Sequence, residues 1–273
     1  MSNLVQRALS GAIFILVVIG AILLHPYFFA GVFTLFTAWA LLEFYHICGN
    51  GRMRLEKPAG TAIGAFLFLG SFLFRQGLAD TKIFLWLIPV TVALFIRQLY
   101  QKHDSPFRGI VCTLAGLVYI AVPFALLTGL AFPNSADNAY TPDILVGFFV
   151  LLWTNDTFAY LAGICFGKHR LFERISPKKS WEGFFGGLLF TLAASLPVAH
   201  FLPVLAYYHW IAVAAIVVVF GVYGDLMESL LKRCLNIKDS GHFLPGHGGI
   251  LDRFDAVLLA APMVYFYLQI FVC

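Results

Sequence analysis

The chain has 273 residues, of which 60% are hydrophobic and only 12% are charged, with a mean hydropathy of +0.86. A soluble domain is typically about 45–50% apolar and about 25% charged. The composition therefore excludes an ordinary water-soluble core and indicates a polytopic helical membrane protein. The formal net charge of +4 is small, and the five cysteines form no CxxC pair, which argues against a zinc site and a disulfide framework.

Nine segments are apolar enough over about 20 residues to span a bilayer, so we expect an all-α, polytopic bundle of about nine transmembrane helices. The first segment follows Arg7 and is not followed by a convincing small-x-small cleavage site, so we expect it to remain as a helix. The segments cover residues 4–24, 27–47, 59–76, 83–100, 109–132, 142–166, 182–202, 208–234 and 250–272.

The basic residues are concentrated in every second loop between these segments. Sixteen of the eighteen lysines and arginines lie at the N-terminus or near the loops after even-numbered segments, whereas Arg75 and Lys82 lie elsewhere. Because cytoplasmic loops carry an excess of Lys and Arg, we expect the N-terminus and these loops to face the cytoplasm. The basic stretch 168–182 and the charged stretch 224–255 would then lie on one side, where they can share a site.

Two acidic residues lie in the interior of apolar segments but outside the charged stretches 168–182 and 224–255. Asp156 is in the inner half of the sixth segment, and an acid inside a membrane is by default a functional-site hypothesis. The alternative is that Asp156 is a structural partner of another interior polar group. Glu43, near the end of the second segment, is a weaker candidate, and for it we favour the structural interpretation.

A basic motif, Ser176-Pro-Lys-Lys-Ser-Trp-Glu-Gly183, precedes the seventh segment. Ser180 is a good N-cap for that helix, and Lys178 and Lys179 then stand at a helix N-terminus, where anions bind readily. The alternative is a basic anchor beside an interfacial tryptophan. Glu182, just inside the apolar helix, does not fit that alternative.

The stretch 224–255 holds five carboxylates and four fixed cations within 32 residues. Asp225, Glu228, Ser229 and Lys232 are spaced i, i+3, i+4 and i+7, which places them on one face of a helix. An ionisable group at that depth is costly unless it is paired, hydrated or bound to a metal. The alternative is an internal ladder of ion pairs that caps a membrane helix.

Two further acids, Asp252 and Asp255, begin the last segment after the turn 245–249, which contains three glycines. Glycines let the backbone approach a ligand and donate N–H groups to phosphate. Carboxylates from two helices, combined with waters and substrate phosphates, are the usual ligands of Mg²⁺. The pattern predicts a magnesium and phosphate site, although His247 alone is equally well a turn histidine at the water interface.

The run from Ser229 to Asp255 resembles the signature of the phosphatidate cytidylyltransferases (CDP-diglyceride synthetases). The run 176–183 resembles that family's second motif, with Ser180 where many members have Thr. The resemblance is carried by the C-terminal half, and the first 130 residues match in hydropathy only. The elements in register within the signature are Lys232-Arg233, Lys238-Asp239, Pro245, His247-Gly248-Gly249 and Asp252-Arg253-x-Asp255.

The resemblance implies an integral membrane nucleotidyltransferase of phospholipid biosynthesis, which joins CTP and phosphatidate to give CDP-diacylglycerol and pyrophosphate. It implies Mg²⁺ held by the acids matching Asp225 and Asp252, leaves room for a second, monovalent cation such as K⁺, and suggests a homodimer. The expected location is the inner (cytoplasmic) membrane, in contact with the lipid bilayer, and no nucleic acid partner is expected. Residues 1–140 would form a transmembrane scaffold with dimer contacts, and residues 141–273 the catalytic region.

From the motifs and the resemblance together we assign roles to individual residues. The predicted metal ligands are Asp225, Asp252 and Glu228. The predicted catalytic residues are Asp225, Asp252, Lys232, Arg233, Lys238, Asp239, His247, Arg253 and Asp255. The predicted substrate-binding residues are Ser176, Lys178, Lys179, Ser180, Glu182, Asp156, Ser229, Gly248 and Gly249.

Two other functions remain as alternatives. A CTP-dependent lipid or polyprenol kinase must also neutralise the negative charges of its substrates, but it would release CDP instead of pyrophosphate. An ion- or proton-coupled transporter could use Asp156, Glu43 and Asp225 as a cation pathway.

Overall fold

A computed structural model of the chain describes residues 3–49, 56–100, 106–133, 139–237, 240–241 and 248–272. Within these residues, eight helices are long and apolar enough to cross a membrane, and Leu9–Leu24 forms a shorter apolar helix. The eight correspond to the second to ninth predicted segments. The predicted all-α, multi-pass membrane fold is therefore confirmed.

Ten α-helices account for most of the described chain. The span Thr81–Leu99 begins with a 3₁₀ turn before its α-helix, and the span Phe107–Ala131 contains a π-helical turn at Leu117–Ala121. Pro123 lacks an N–H and so cannot continue the regular hydrogen-bond ladder, which accounts for the π-helical turn just before it. The helices are α1 (Asn3–Leu24), α2 (Pro26–Gly49), α3 (Lys57–Arg75), α4 (Leu87–Leu99), α5 (Pro106–Gly116), α6 (Val122–Ala131), α7 (Asp143–Phe166), α8 (Trp181–Phe201), α9 (Tyr207–Cys234) and α10 (Leu251–Phe271).

The chain forms two compact units, residues 1–140 with 237–254 and residues 141–236 with 255–273. In the first unit, aromatic rings fill the space between helices, and Phe254 packs against Phe124 and Phe36 with ring centroids 4.9 and 5.3 Å apart. Aromatic pairs at such separations stabilise a core beyond their buried area. The start of α10 is thus anchored in the core of the first unit.

The second unit is built on a close contact between α7 and α8. A Cβ atom added at Gly187 would lie 2.5 Å from Asn155 Oδ1, and one at Gly186 would overlap the side chain of Ala162. Small residues allow membrane helices to approach closely enough for their backbones to pack. The rings of Phe158 and Phe190 stack 4.1 Å apart along the same contact.

A two-stranded antiparallel hairpin connects α7 and α8 in the second unit. It consists of β1 (Arg170–Phe172) and β2 (Ser176–Ser180), with Arg170 opposite Ser180 and Phe172 opposite Ser176. The sequence analysis did not predict these strands, and Lys178 and Lys179 lie on β2, directly before the N-cap of α8. The predicted N-cap is confirmed, because Ser180 Oγ accepts a hydrogen bond from Gly183 N at 3.1 Å.

Candidate active site

The last three turns of α9 carry the predicted row of polar side chains. Ser229 Oγ donates a hydrogen bond to Asp225 Oδ1 at 3.2 Å, and Lys232 Nζ lies 2.8 Å from Glu228 Oε2. The spacing i, i+3, i+4 and i+7 therefore does place these four residues on one face. Glu228 is fully buried, and a carboxylate at that depth requires a cationic partner such as Lys232.

Asp255 of α10 joins this row. A Cβ atom at Gly224 would overlap the carbonyl oxygen of Asp255, so the two helices can approach this closely only because residue 224 is glycine. The contact brings three carboxylates together, and Asp225, Glu228 and Asp255 each offer an oxygen within 4.8 Å of the others. We call these three residues the carboxylate cluster.

The basic motif reaches the carboxylate cluster through Lys179. Its Nζ atom lies 2.5 Å from Asp225 Oδ2, and the side chains of Lys179 and Asp225 are 25% and 36% exposed. Arg233 Nε also lies 3.5 Å from the carbonyl oxygen of Ile175, at the hairpin. These contacts bring the basic and the acidic stretches together, while their shared role in one functional site stays a prediction.

Two ion pairs within the described residues bring positive charge to the carboxylate cluster. When ionised, the cluster carries three negative charges, and Lys179 and Lys232 contribute two positive charges to it. Asp156 of α7 is exposed and close enough to Asp255 to interact with it electrostatically. Such a donor set fits a divalent cation, because hard cations prefer carboxylate oxygens.

Glu182, a predicted substrate-binding residue, makes structural contacts. Its carboxylate accepts hydrogen bonds from the backbone N–H groups of Lys168 and His169 at 3.1 to 3.2 Å, and His169 Nδ1 lies 2.6 Å from Glu182 Oε1. These bonds tie the end of α7 to the start of α8. Glu182 therefore fixes the base of the hairpin that carries Lys179, while its contact with substrate stays a prediction.

Asp252 lies in the first unit, whereas the carboxylate cluster belongs to the second. The Asp252 carboxylate accepts hydrogen bonds from Ser240 N at 3.1 Å and from Gly249 N at 2.8 Å. Gly248 adopts a positive φ of 80°, which favours glycine. The predicted pairing of Asp252 with Asp225 around Mg²⁺ stays a prediction.

Other predicted residues lie at the ends of these elements. Ser176 and Lys178 are on β2, Arg233 is exposed in the last turn of α9, and Arg253 is in the first turn of α10. Lys238, Asp239 and His247 lie outside the described residues.

Sequence reasoning missed two features of this region. It did not predict that Asp255 would join Asp225 and Glu228, although Gly224, next to Asp225, was a sequence signal for close helix packing. It favoured a structural role for Glu43 but did not predict the partners, which are backbone N–H groups at the start of α10. The position of this acid in an apolar helix was the only signal for it.

Residues 5–271 match the cytidylyltransferase family. The phosphatidate cytidylyltransferase of Rickettsia felis is 35% identical over 196 residues, covering 67% of this chain and 83% of that protein. The Bacillus subtilis protein of the same name is 44% identical over 130 residues, covering 45% of this chain and 46% of that protein. The Staphylococcus aureus protein is 45% identical over 179 residues, covering 65% of this chain and 66% of that protein. The match confirms the resemblance first seen in two motifs and extends it over nearly the whole chain, which therefore belongs to the cytidylyltransferase family.

Proposed function

We propose that this chain is a phosphatidate cytidylyltransferase, which forms CDP-diacylglycerol and pyrophosphate from CTP and phosphatidate in phospholipid biosynthesis. Family membership and the names of its relatives support the assignment. The structural observation that carries it is the ion pair between Lys179 and Asp225, because it joins the two motifs of the resemblance beside the carboxylate cluster.

The reaction needs charge neutralisation more than it needs a base. A phosphate oxygen of the lipid, already ionised at neutral pH, attacks the α-phosphorus of CTP, and the bond from that phosphorus to the pyrophosphate oxygen breaks. Two unit charges 4 Å apart repel by about 4 kcal/mol at an effective dielectric constant near 20, and several charges meet here. Lys179, Lys232 and Arg233 supply positive charge around the reacting phosphates and orient them.

The carboxylate cluster suits a magnesium ion. Asp225, Glu228 and Asp255 each offer an oxygen within 4.8 Å of the others, and carboxylates together with waters and substrate phosphates are how Mg²⁺ is usually bound. When bound, Mg²⁺ would neutralise phosphate charge and stabilise the leaving pyrophosphate. We propose these three residues as its protein ligands; Asp252 as a further ligand and a second, monovalent cation stay predictions.

The distribution of basic residues indicates which side of the membrane the site faces. We propose that the site faces the cytoplasm from the inner membrane, because most basic residues lie beside the even-numbered loops of the predicted order. There the soluble nucleotide and the lipid headgroup can both reach it. A homodimer stays a prediction.

One assay tests the proposed function. Purified protein is incubated with phosphatidate, Mg²⁺ and either CTP or UTP, and both pyrophosphate and nucleoside diphosphate are measured. Pyrophosphate and CDP-diacylglycerol formed in equal amounts from CTP are the expected products. Release of CDP would instead indicate a lipid kinase, and cation flux in liposomes without turnover would indicate a transporter.

A further inference from the structure

A carboxylate from the second helix of the chain completes the start of the last helix. Glu43 is only 7% exposed. Its Oε1 atom accepts a hydrogen bond from Ile250 N at 3.0 Å, and its Oε2 atom accepts one from Leu251 N at 2.9 Å. The side chain of Ser240 donates a third, longer bond to Oε2 at 3.3 Å.

The local sequence explains why a distant acid is needed there. The first N–H groups of a helix have no partner within the helix, and a Ser, Thr, Asp or Asn at the N-cap usually accepts from them. The residues before Leu251 are Gly248, Gly249 and Ile250, which have no side-chain acceptor. Glu43 fills that place, and its negative charge also suits the positive end of α10.

Glu43 and Asp252 hold the same piece of backbone. Gly249 N donates to Asp252 while the next two N–H groups donate to Glu43. Ser240 links the two acids, since its N–H donates to Asp252 and its hydroxyl donates to Glu43. A shift of Glu43 would therefore be transmitted to the Asp252 carboxylate through both Ser240 and the first turn of α10.

The loop is also shaped around the Glu43 side chain. A Cβ atom at Gly241 would lie 2.6 Å from Glu43 Oε1, and one at Gly249 would overlap Glu43 Oε2. Both glycines are needed for the backbone to come this close. The loop therefore matches both the chemistry and the volume of the Glu43 carboxylate.

We propose that Glu43 is a positioning residue of the cytidylyltransferase reaction, which holds Ser240, Gly249 and the start of α10 so that Asp252 is presented in its working orientation. The inference rests on the proposed role of Asp252 in turnover. It gives a residue of the N-terminal half of the chain a positioning role in the reaction.

The test compares Glu43→Gln with Glu43→Asp in purified full-length protein. Gln keeps the volume but replaces one acceptor oxygen by a donor, whereas Asp keeps the charge and loses a methylene. We expect Glu43→Gln to lower kcat about tenfold or more, with KM for CTP and phosphatidate changed less than about threefold. Glu43→Asp should retain more activity than Glu43→Gln, and a packing role would give the reverse order.

Hydrogen–deuterium exchange supplies a readout independent of turnover. Peptides containing Ile250 and Leu251 should exchange faster in Glu43→Gln than in the parent protein. Thr37→Val is the matched control, because Thr37 is a buried polar residue of the same helix whose hydroxyl donates within that helix, to Phe33 O. Thr37→Val should change neither kcat nor that exchange.

Each outcome decides the proposal. A folded Glu43→Gln with parental kcat, or one that loses activity without faster exchange at the start of α10, overturns it. If neither Glu43 variant folds, Ser240→Ala decides in their place, with a loss in kcat of about threefold expected and an unchanged kcat overturning the proposal. Asp252→Asn is measured in parallel. If Asp252→Asn stays active, the assumed role of Asp252 is wrong. If Asp252→Asn is inactive while Glu43→Gln is fully active, only the inference about Glu43 is overturned.

Discussion

The ion pair between Lys179 and Asp225 gives the sharpest prediction. Lys179→Met removes the charge and keeps most of the side-chain length. At 2.5 Å the bare Coulomb attraction would be about 7 kcal/mol at a dielectric constant of 20. Since both side chains are partly exposed, at 25% and 36%, solvent screens most of it, and we expect the free energy of unfolding to fall by only about 1 kcal/mol.

The effect on turnover should be much larger than the effect on stability. Without Lys179, the three acids of the carboxylate cluster and the incoming phosphates share one cation fewer, and removing one such stabilising group typically costs about 10²- to 10³-fold in kcat. We expect a loss in that range in kcat/KM for CTP, measured by pyrophosphate release. Thermal unfolding of the same preparation measures the change in stability caused by Lys179→Met.

Lys168→Met is the matched control. Lys168 is exposed, precedes the same hairpin and carries the same charge, and it is its backbone N–H that donates a hydrogen bond to Glu182. An equal loss of kcat/KM in Lys168→Met would show that overall surface charge matters and not the ion pair. Unchanged kcat/KM in folded Lys179→Met would refute the reasoning outright.

Three further predictions concern the carboxylate cluster. Asp225→Asn and Asp255→Asn should each abolish turnover in a protein that still elutes as a folded species, and near-full activity at saturating Mg²⁺ in either would contradict the metal assignment. Gly224→Ala should lower stability by about 1–3 kcal/mol because the new methyl group overlaps the Asp255 carbonyl, whereas Gly31→Ala, which has open space around it, should not; equal melting temperatures for the two would argue against the contact. Glu228→Gln should destabilise the protein by about 3–5 kcal/mol, because it leaves Lys232 beside a neutral group in a buried site, and an unchanged denaturation midpoint would speak against that pairing.

Patterns that are local in the chain could be predicted from sequence. The cap at Ser180 and the row from Asp225 to Lys232 depend on helical spacing over one or two turns, and the structure confirms both. The meeting of the two charged stretches followed from the side of the membrane on which basic loops lie, and the Lys179 contact confirms that they meet.

Features that depend on distant contacts could not be predicted in this way. The β-hairpin has strands of three and five residues, and Ser-Pro-Lys-Lys-Ser lacks the alternation that marks a strand. Asp255 joins Asp225 because of a backbone contact at Gly224, and Glu43 meets residues more than 200 positions later in the chain. Spacing within one helix carries no information about such partners.

The position of Glu43 also limits how the protein can be divided and recombined. Because the amide groups at the start of α10 are completed by an acid from α2, a fragment beginning near residue 141 would lack that acceptor. A chimaera that exchanges the N-terminal helices between relatives should keep activity only if the donor sequence supplies an acid at the equivalent place. The N-terminal helices cannot be exchanged independently of the last helix, because α2 and the start of α10 share hydrogen bonds.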